Sequence, residues 1–173
     1  EKGAEVSLIT GPTQQIIEHS NVTRYDVKNA AQMYDKTVEC FENCDIAILS
    51  AAVADYTPKS TFNTKLKKKT DNLVVELVPT KDILAELGKR KKENQILVGF
   101  ALETDNELEN AKEKLQRKKL DCIVLNSLND AGAGFNVPTN KVTILDAKGN
   151  IYNSDLKSKY EVALDISEKI LNL

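Results

Sequence analysis

The stretch Asp45-Ile-Ala-Ile-Leu-Ser-Ala-Ala-Val-Ala-Asp-Tyr-Thr-Pro58 decides the fold. Ile46 to Leu49 is a short apolar run of the kind that makes a strand buried on both faces. Ser50 to Ala54 are small, which leaves backbone amides open to a ligand. Asp55 is the first charge after the turn. Pro58 stops any continuing helix and biases Thr57 towards an extended conformation. In an open α/β sheet a ligand sits where a strand ends and its loop begins. The lysine-rich run Lys65-Leu-Lys-Lys-Lys69 follows closely. One fixed carboxylate and a cluster of ammonium groups suit a nucleotide: the carboxylate accepts from hydroxyl or amino groups, and the lysines meet phosphate.

Upstream of this stretch, Glu1 to Glu5 reads as the end of a helix with Gly3 at its C-terminal cap. Val6 to Thr10 reads as a strand with Gly11-Pro-Thr13 as its exit loop, and Val22 to Val27 as a second strand. Ala30 to Phe41 has the spacing of an amphipathic helix, with Met33, Val38 and Phe41 facing inward. Downstream, Lys59 to Asp71 is too charged for a core. Val74, Val75, Leu77 and Val78 read as a strand. Thr80 is placed to cap a helix from Lys81 to about Lys91, with Asp82 favourable near its positive end.

Ile96 to Ala101 reads as a buried strand. Thr104-Asp-Asn-Glu107 has the capping-box pattern for a helix from Asp105 to Lys118. Ile123 to Leu125 is the next strand, and Asn126 to Asn140 a long loop. Val142 to Leu145 and Ile151-Tyr152 flank Asp146-Ala-Lys-Gly-Asn150, a hairpin signal. Ser158-Lys-Tyr-Glu161 is a second capping box, opening a final helix to about Leu171. Strands that alternate with helical patterns, followed by a hairpin, predict a three-layer α/β fold with a mainly parallel sheet and a β-hairpin appendage. There is no repeat, low-complexity tract or linker, so the 173 residues read as one domain.

Composition excludes several classes. No apolar run approaches the roughly 20 residues of a membrane span, so no membrane partner is expected. The net charge of −2 provides no global basic field for nucleic acid. Cys40, Cys44 and Cys122 lack a framework spacing and fit reduced thiols in a cytoplasmic protein. Cys40 and Cys44 would need two more ligands to hold a transition metal, so no protein-held metal site is expected. His19 is the only histidine, far from any nucleophile, which argues against a Ser-His-acid triad. Neither GxxxxGK[ST] nor GxGxxG occurs. There is no secretory signal, and the first residue is not Met, so the sequence reads as a piece of a longer polypeptide.

Ala51-Ala-Val-Ala-Asp-Tyr56, then Lys65-x-Lys-Lys68, then Val98-Gly-Phe-Ala101 with Glu103-Thr104, closely resembles phosphopantothenoylcysteine synthetase. The likeness runs nearly the whole chain in order and spacing. It implies a Rossmann-like fold and a ligase that joins cysteine to 4'-phosphopantothenate in coenzyme A synthesis. In many bacteria this is the C-terminal half of a bifunctional protein, whose separate upstream decarboxylase domain is the only expected place for FMN. The family has a strand, a glycine-bearing phosphate loop and a helix ahead of the position where this sequence begins. The first βα unit is therefore expected to be missing here, with the Asn that its loop carries.

Each candidate residue has a plainer reading beside the one the resemblance implies. Asp55 could cap the next turn; the resemblance makes it, with Ala51, a nucleotide-binding residue. Lys65, Lys67, Lys68 and Lys69 could be a solvated face; the resemblance makes Lys65 catalytic and nucleotide-binding, with the others accessory. Lys114 and Lys118 lie at i and i+4 and could serve solubility; the resemblance has both chelate the triphosphate. Phe100 is a core aromatic by default and is implied to lie against the base. Thr80, Lys81, Asp82 and Ile83 stand where relatives have Asn-Pro-Asp-Ile, so for these four only backbone contact to the nucleotide carries over.

The resemblance further implies CTP as co-substrate with Mg²⁺, and a homodimer pairing through Lys65 to Val78. Two readings from other classes stay open. One is a nicotinamide- or flavin-binding oxidoreductase of similar architecture. The other is a non-catalytic nucleotide-binding domain.

Overall fold

A computed structural model describes residues 3–62, 64–65, 67, 72–103, 105–127, 133 and 137–173. Along the chain come β1 (Val6–Thr10), β2 (Val22–Asp26), α1 (Ala30–Phe41), β3 (Ile46–Leu49), β4 (Tyr56–Pro58) and β5 (Leu77–Pro79). Next are α2 (Ile83–Arg90), β6 (Ile96–Glu103), α3 (Glu107–Arg117) and β7 (Cys122–Ser127). The chain closes with β8 (Thr139–Asn140), β9 (Val142–Asp146), β10 (Ile151–Asn153), β11 (Lys157–Ser158) and α4 (Lys159–Leu171). These elements gather into two compact units: Glu1–Cys40 with Ala51–Ile83, and Phe41–Ser50 with Leu84–Leu173.

In the first unit, β1 and β2 pair in parallel from Val6↔Val22 to Thr10↔Asp26. Asn29 precedes α1, and its side chain accepts from Gln32 N at 2.9 Å, while the Gln32 side chain accepts from Lys28 N at 2.8 Å. The first bond satisfies one of the amides that the first helical turn leaves without partners, and the second secures the residue ahead of the cap. β4 and β5 form an antiparallel ribbon with Tyr56 opposite Pro79 and Pro58 opposite Leu77.

In the second unit, five strands run in the order β10-β9-β7-β6-β3. β3, β6 and β7 are parallel, and the β9–β10 hairpin adds an antiparallel edge. Alternation along β6 sends successive side chains to opposite faces. Val98, with Cys122 and Val124 of β7, packs against Val162, Ile166 and Ile170 of α4. On the other face, a methyl at Gly99 would come within 2.7 Å of Leu84 in α2 and 2.9 Å of Leu120 after α3. Helices therefore cover both faces of the parallel strands, the three-layer α/β arrangement expected from the pattern.

Polar side chains fix the strand ends in this unit. Gln95 is buried and fully used: its amide donates to Phe41 O (2.7 Å) and Cys44 O (2.8 Å) and accepts from Lys92 N (3.0 Å). Asp121 accepts from Leu97 N at 2.7 Å and from Lys91 Nζ at 2.6 Å.

Four local expectations are corrected. β3 is not buried on both faces: among the described residues it ends the sheet with β6 as its one neighbour, and Ile48 is 49% exposed. The strand expected over Val74 to Val78 is Leu77–Pro79 only, because that is where β4 pairs; Leu73, Val74 and Val75 are exposed. Thr80 does not cap α2, which starts at Ile83, because its hydroxyl donates to Ala54 O instead. α3 starts at Glu107, not Asp105. Asn106 holds its N-cap position in a left-handed conformation (φ 45°) without a side-chain cap bond, and Thr104 lies outside the described residues.

Candidate functional site

The first group of candidates lies in the first unit. Ala51 to Asp55 carry the chain into β4 as irregular backbone, with Ala51 and Asp55 exposed and Val53 half-buried. Two bonds hold the end of this segment. Thr80 N donates to Asp55 O at 2.8 Å, and Thr80 Oγ1 donates to Ala54 O at 2.7 Å. The first bond extends the β4–β5 pairing by one step beyond Tyr56↔Pro79. Further along the ribbon, Lys59 N donates to Glu76 O at 2.9 Å, and Lys59 Nζ meets Glu76 Oε1 at 2.7 Å. Asp55 is thus an exposed carboxylate on a backbone pinned at both of its peptide groups.

Lys81 Nζ sits 4.2 Å from the centroid of the Tyr34 ring, a cation–π contact. Asp82 is exposed directly ahead of α2, and Ile83 is buried, so its side chain is unavailable to a ligand. Lys65 and Lys67 are exposed. Lys68 and Lys69 lie outside the described residues.

The second group lies in the second unit. Phe100 is half-buried in β6, opposite Val124, and packs at the edge of the core. Lys114 is half-buried in α3 and its Nζ donates to Phe100 O at 3.0 Å. That bond ties the ammonium to β6. Lys118 is the C-cap of α3, and its N–H donates to Lys114 O at 3.0 Å. The ten candidates therefore divide: Ala51, Asp55, Lys65, Thr80, Lys81, Asp82 and Ile83 in one unit, and Phe100, Lys114 and Lys118 in the other.

Two features had no counterpart in the sequence reading. One is the Thr80 hydroxyl, bonded to a carbonyl far back in the chain. The other is the pair Asn126 and Asn140, where Asn140 Nδ2 donates to Asn126 Oδ1 at 3.1 Å at the end of β7. Asn140 Oδ1 is buried without a hydrogen-bond partner among the described residues, a position that a water or a ligand amide would satisfy. Among the described residues no three His, Cys, Asp or Glu side chains gather to hold a metal ion.

The family model of the DNA/pantothenate metabolism flavoprotein C-terminal domain matches residues 1–173. The chain belongs to that family. It is 55% identical over 171 residues to a cysteine/cysteine sulfinic acid decarboxylase from an unknown prokaryotic organism, covering 99% of this chain and 48% of the relative. It is 42% identical over 171 residues to the coenzyme A biosynthesis bifunctional protein CoaBC of Bacillus subtilis, covering 99% of this chain and 42% of that protein. The chain spans about half the length of the curated relatives it matches. Among solved structures it is similar to the C-terminal domain of a coenzyme A biosynthesis bifunctional protein CoaBC. The TM-score is 0.79 at 36% identity, over 97% of this chain and 74% of that one. The family read from the motifs at Ala51–Tyr56 and Val98–Ala101 is the family found, and so is its Rossmann-like α/β fold.

Proposed function

We propose that this chain is the synthetase domain of a phosphopantothenate–cysteine ligase. The observation that carries the reading is the pinned Ala51–Asp55 turn, with its exposed carboxylate, in a chain matched over its whole length by the family. In the proposed reaction the carboxylate of 4'-phosphopantothenate attacks the α-phosphorus of CTP and displaces pyrophosphate. The cysteine amine then attacks the acyl carbon of the mixed anhydride and releases CMP. Activation is required because a free carboxylate is a poor acyl donor at neutral pH.

Asp55 accepts from donors of the base or sugar. Lys114 and Lys118 meet the phosphates, and Lys65 supplies charge where the intermediate or leaving phosphate develops it. Mg²⁺ belongs to this reading only as the counterion of the triphosphate. The exposed apolar side chains Leu73 (74%), Val74 (88%), Val75 (54%) and Leu77 (53%) support a homodimer pairing through Lys65 to Val78. The setting proposed is the cytoplasm; among the described residues no helix is long and apolar enough to cross a membrane.

Calorimetry on the complete protein tests the nucleotide assignment. CTP should bind more tightly than ATP, and Asp55→Asn should weaken CTP about tenfold or more, since donors once paired with the carboxylate lose it. Equal CTP affinity in the variant would remove Asp55 from the site, and tighter ATP binding would overturn the choice of CTP.

A second reading draws on the 55% identical relative, whose name is that of a decarboxylase acting on cysteine or cysteine sulfinic acid. In that reading the domain serves a protein that decarboxylates the amino acid itself. The two readings differ in product: an amide of phosphopantothenate, or an amine with carbon dioxide.

A further inference from the structure

We propose that Thr80 is a positioning residue that sets the direction in which Asp55 presents its carboxylate, and that it acts without touching the nucleotide through its side chain. This rests on the reading of Asp55 as a nucleotide ligand. The Ala54 carbonyl belongs to the peptide plane before Asp55, and the Asp55 carbonyl to the plane after it. Peptide groups are planar, so only the two dihedrals of Asp55 relate one plane to the other. Thr80 binds both planes: Oγ1 donates to Ala54 O at 2.7 Å and N–H donates to Asp55 O at 2.8 Å. Fixing both planes fixes both dihedrals, and with them the Cα–Cβ direction of Asp55.

The second bond could come from any residue but proline. The first needs a hydroxyl at position 80. The residues on either side of Thr80 are held as well. Pro79 is paired with Tyr56 directly before it, and Lys81 after it is seated over the Tyr34 ring at 4.2 Å. The exposed carboxylate of Asp55 has no hydrogen-bond partner among the described residues, so the backbone alone sets the direction in which it leaves the chain. A site of this kind loses binding when a supporting contact loosens, even though no ligand contact is removed.

The test compares Thr80→Val, which keeps the shape and loses the donor, with Thr80→Ser, which keeps the donor, in the complete protein. Amide hydrogen exchange without nucleotide reads the clamp, and calorimetry with CTP reads its effect. Thr80→Val should speed exchange in residues 51–56 and weaken CTP about five- to tenfold, a loss of about 1 to 1.4 kcal/mol in binding. Its thermal midpoint should stay near that of the parent. Thr80→Ser should restore both readouts. Unchanged exchange in Thr80→Val would show that the hydroxyl holds nothing and would overturn the proposal. So would CTP affinity unchanged in Thr80→Val but lost in Asp55→Asn. If Asp55→Asn itself binds CTP as the parent does, the reading beneath falls and the positioning role falls with it, whatever the exchange data give.

Discussion

Gly88 has no room for a methyl group. A Cβ there would collide with the main-chain carbonyl oxygen of Lys118, where α2 passes the end of α3. Two effects oppose each other in Gly88→Ala. Helix propensity favours alanine by about 1 kcal/mol. Overpacking against an unyielding backbone costs about 1–3 kcal/mol, and a collision this close falls at the upper end. The expected outcome is a net loss of about 1–2 kcal/mol in unfolding free energy, measured by denaturant titration. A stabilised variant would show that the two helices move apart freely. The same position bears on function, because Lys118 is a phosphate-binding candidate whose carbonyl forms that contact. Cys122 is a quieter case at the same scale. Burial first, then the nearby charges of Asp146 and Asp121, push its thiol up to about 12. It stays neutral in the core and plays no part in the chemistry proposed.

At the scale of elements, the start of α4 carries a full capping box. Glu161 N donates to Ser158 Oγ at 3.2 Å, and the Glu161 carboxylate accepts from Ser158 N at 3.0 Å and Ser158 Oγ at 2.6 Å. The bond from the Ser158 side chain, and next that from its backbone, hold the Glu161 carboxyl below the usual value of 4.5. A depressed folded-state value means that the stabilising share is complete above the unfolded value. It is lost as pH falls through the lower folded one. Glu161→Gln keeps an acceptor in the box and removes the titration. Its stability should therefore fall less steeply than the parent's as pH drops below the usual carboxylate value of 4.5; parallel curves would mean that the carboxylate adds nothing as a charge.

This box was legible because both of its bonds are local. The same pattern at Thr104 to Glu107 misled. The Asn110 side chain donates to Asp105 O at 2.8 Å, and Asn106 turns left-handed, so the helix begins without a side-chain cap. Asn29 caps α1 through Gln32 N, a bond that the Asn ahead of an amphipathic run signals in the sequence. β3 was placed correctly but its burial was not. An apolar run reports that a strand exists, whereas exposure depends on which strands lie beside it. Thr80 is the same lesson for the site. Its residue type fits a helix cap, and a partner 26 residues earlier decides otherwise.

At the scale of the whole molecule, the candidate residues fall in both units. The carboxylate turn and Lys65 belong to one, and Phe100 with its tethered lysine to the other. The motifs at 51–56 and 98–101 made the family legible. The bonds that aim Asp55 and Lys114 were not, since each joins segments distant in sequence. Lys65 carries the sharpest consequence. It is exposed, so its removal should cost little stability, within about 0.5 kcal/mol. Loss of one charge at a developing phosphate costs on the order of 100-fold in rate.

Mass spectrometry of the complete protein with 4'-phosphopantothenate, CTP, Mg²⁺ and cysteine tests the central claim. The parent should form phosphopantothenoylcysteine with CMP and pyrophosphate. Lys65→Gln should bind CTP, accumulate the acyl-cytidylate and form the amide about 100-fold more slowly. A parent that makes no phosphopantothenoylcysteine, or a Lys65→Gln variant that makes it at the parent rate, would contradict the account.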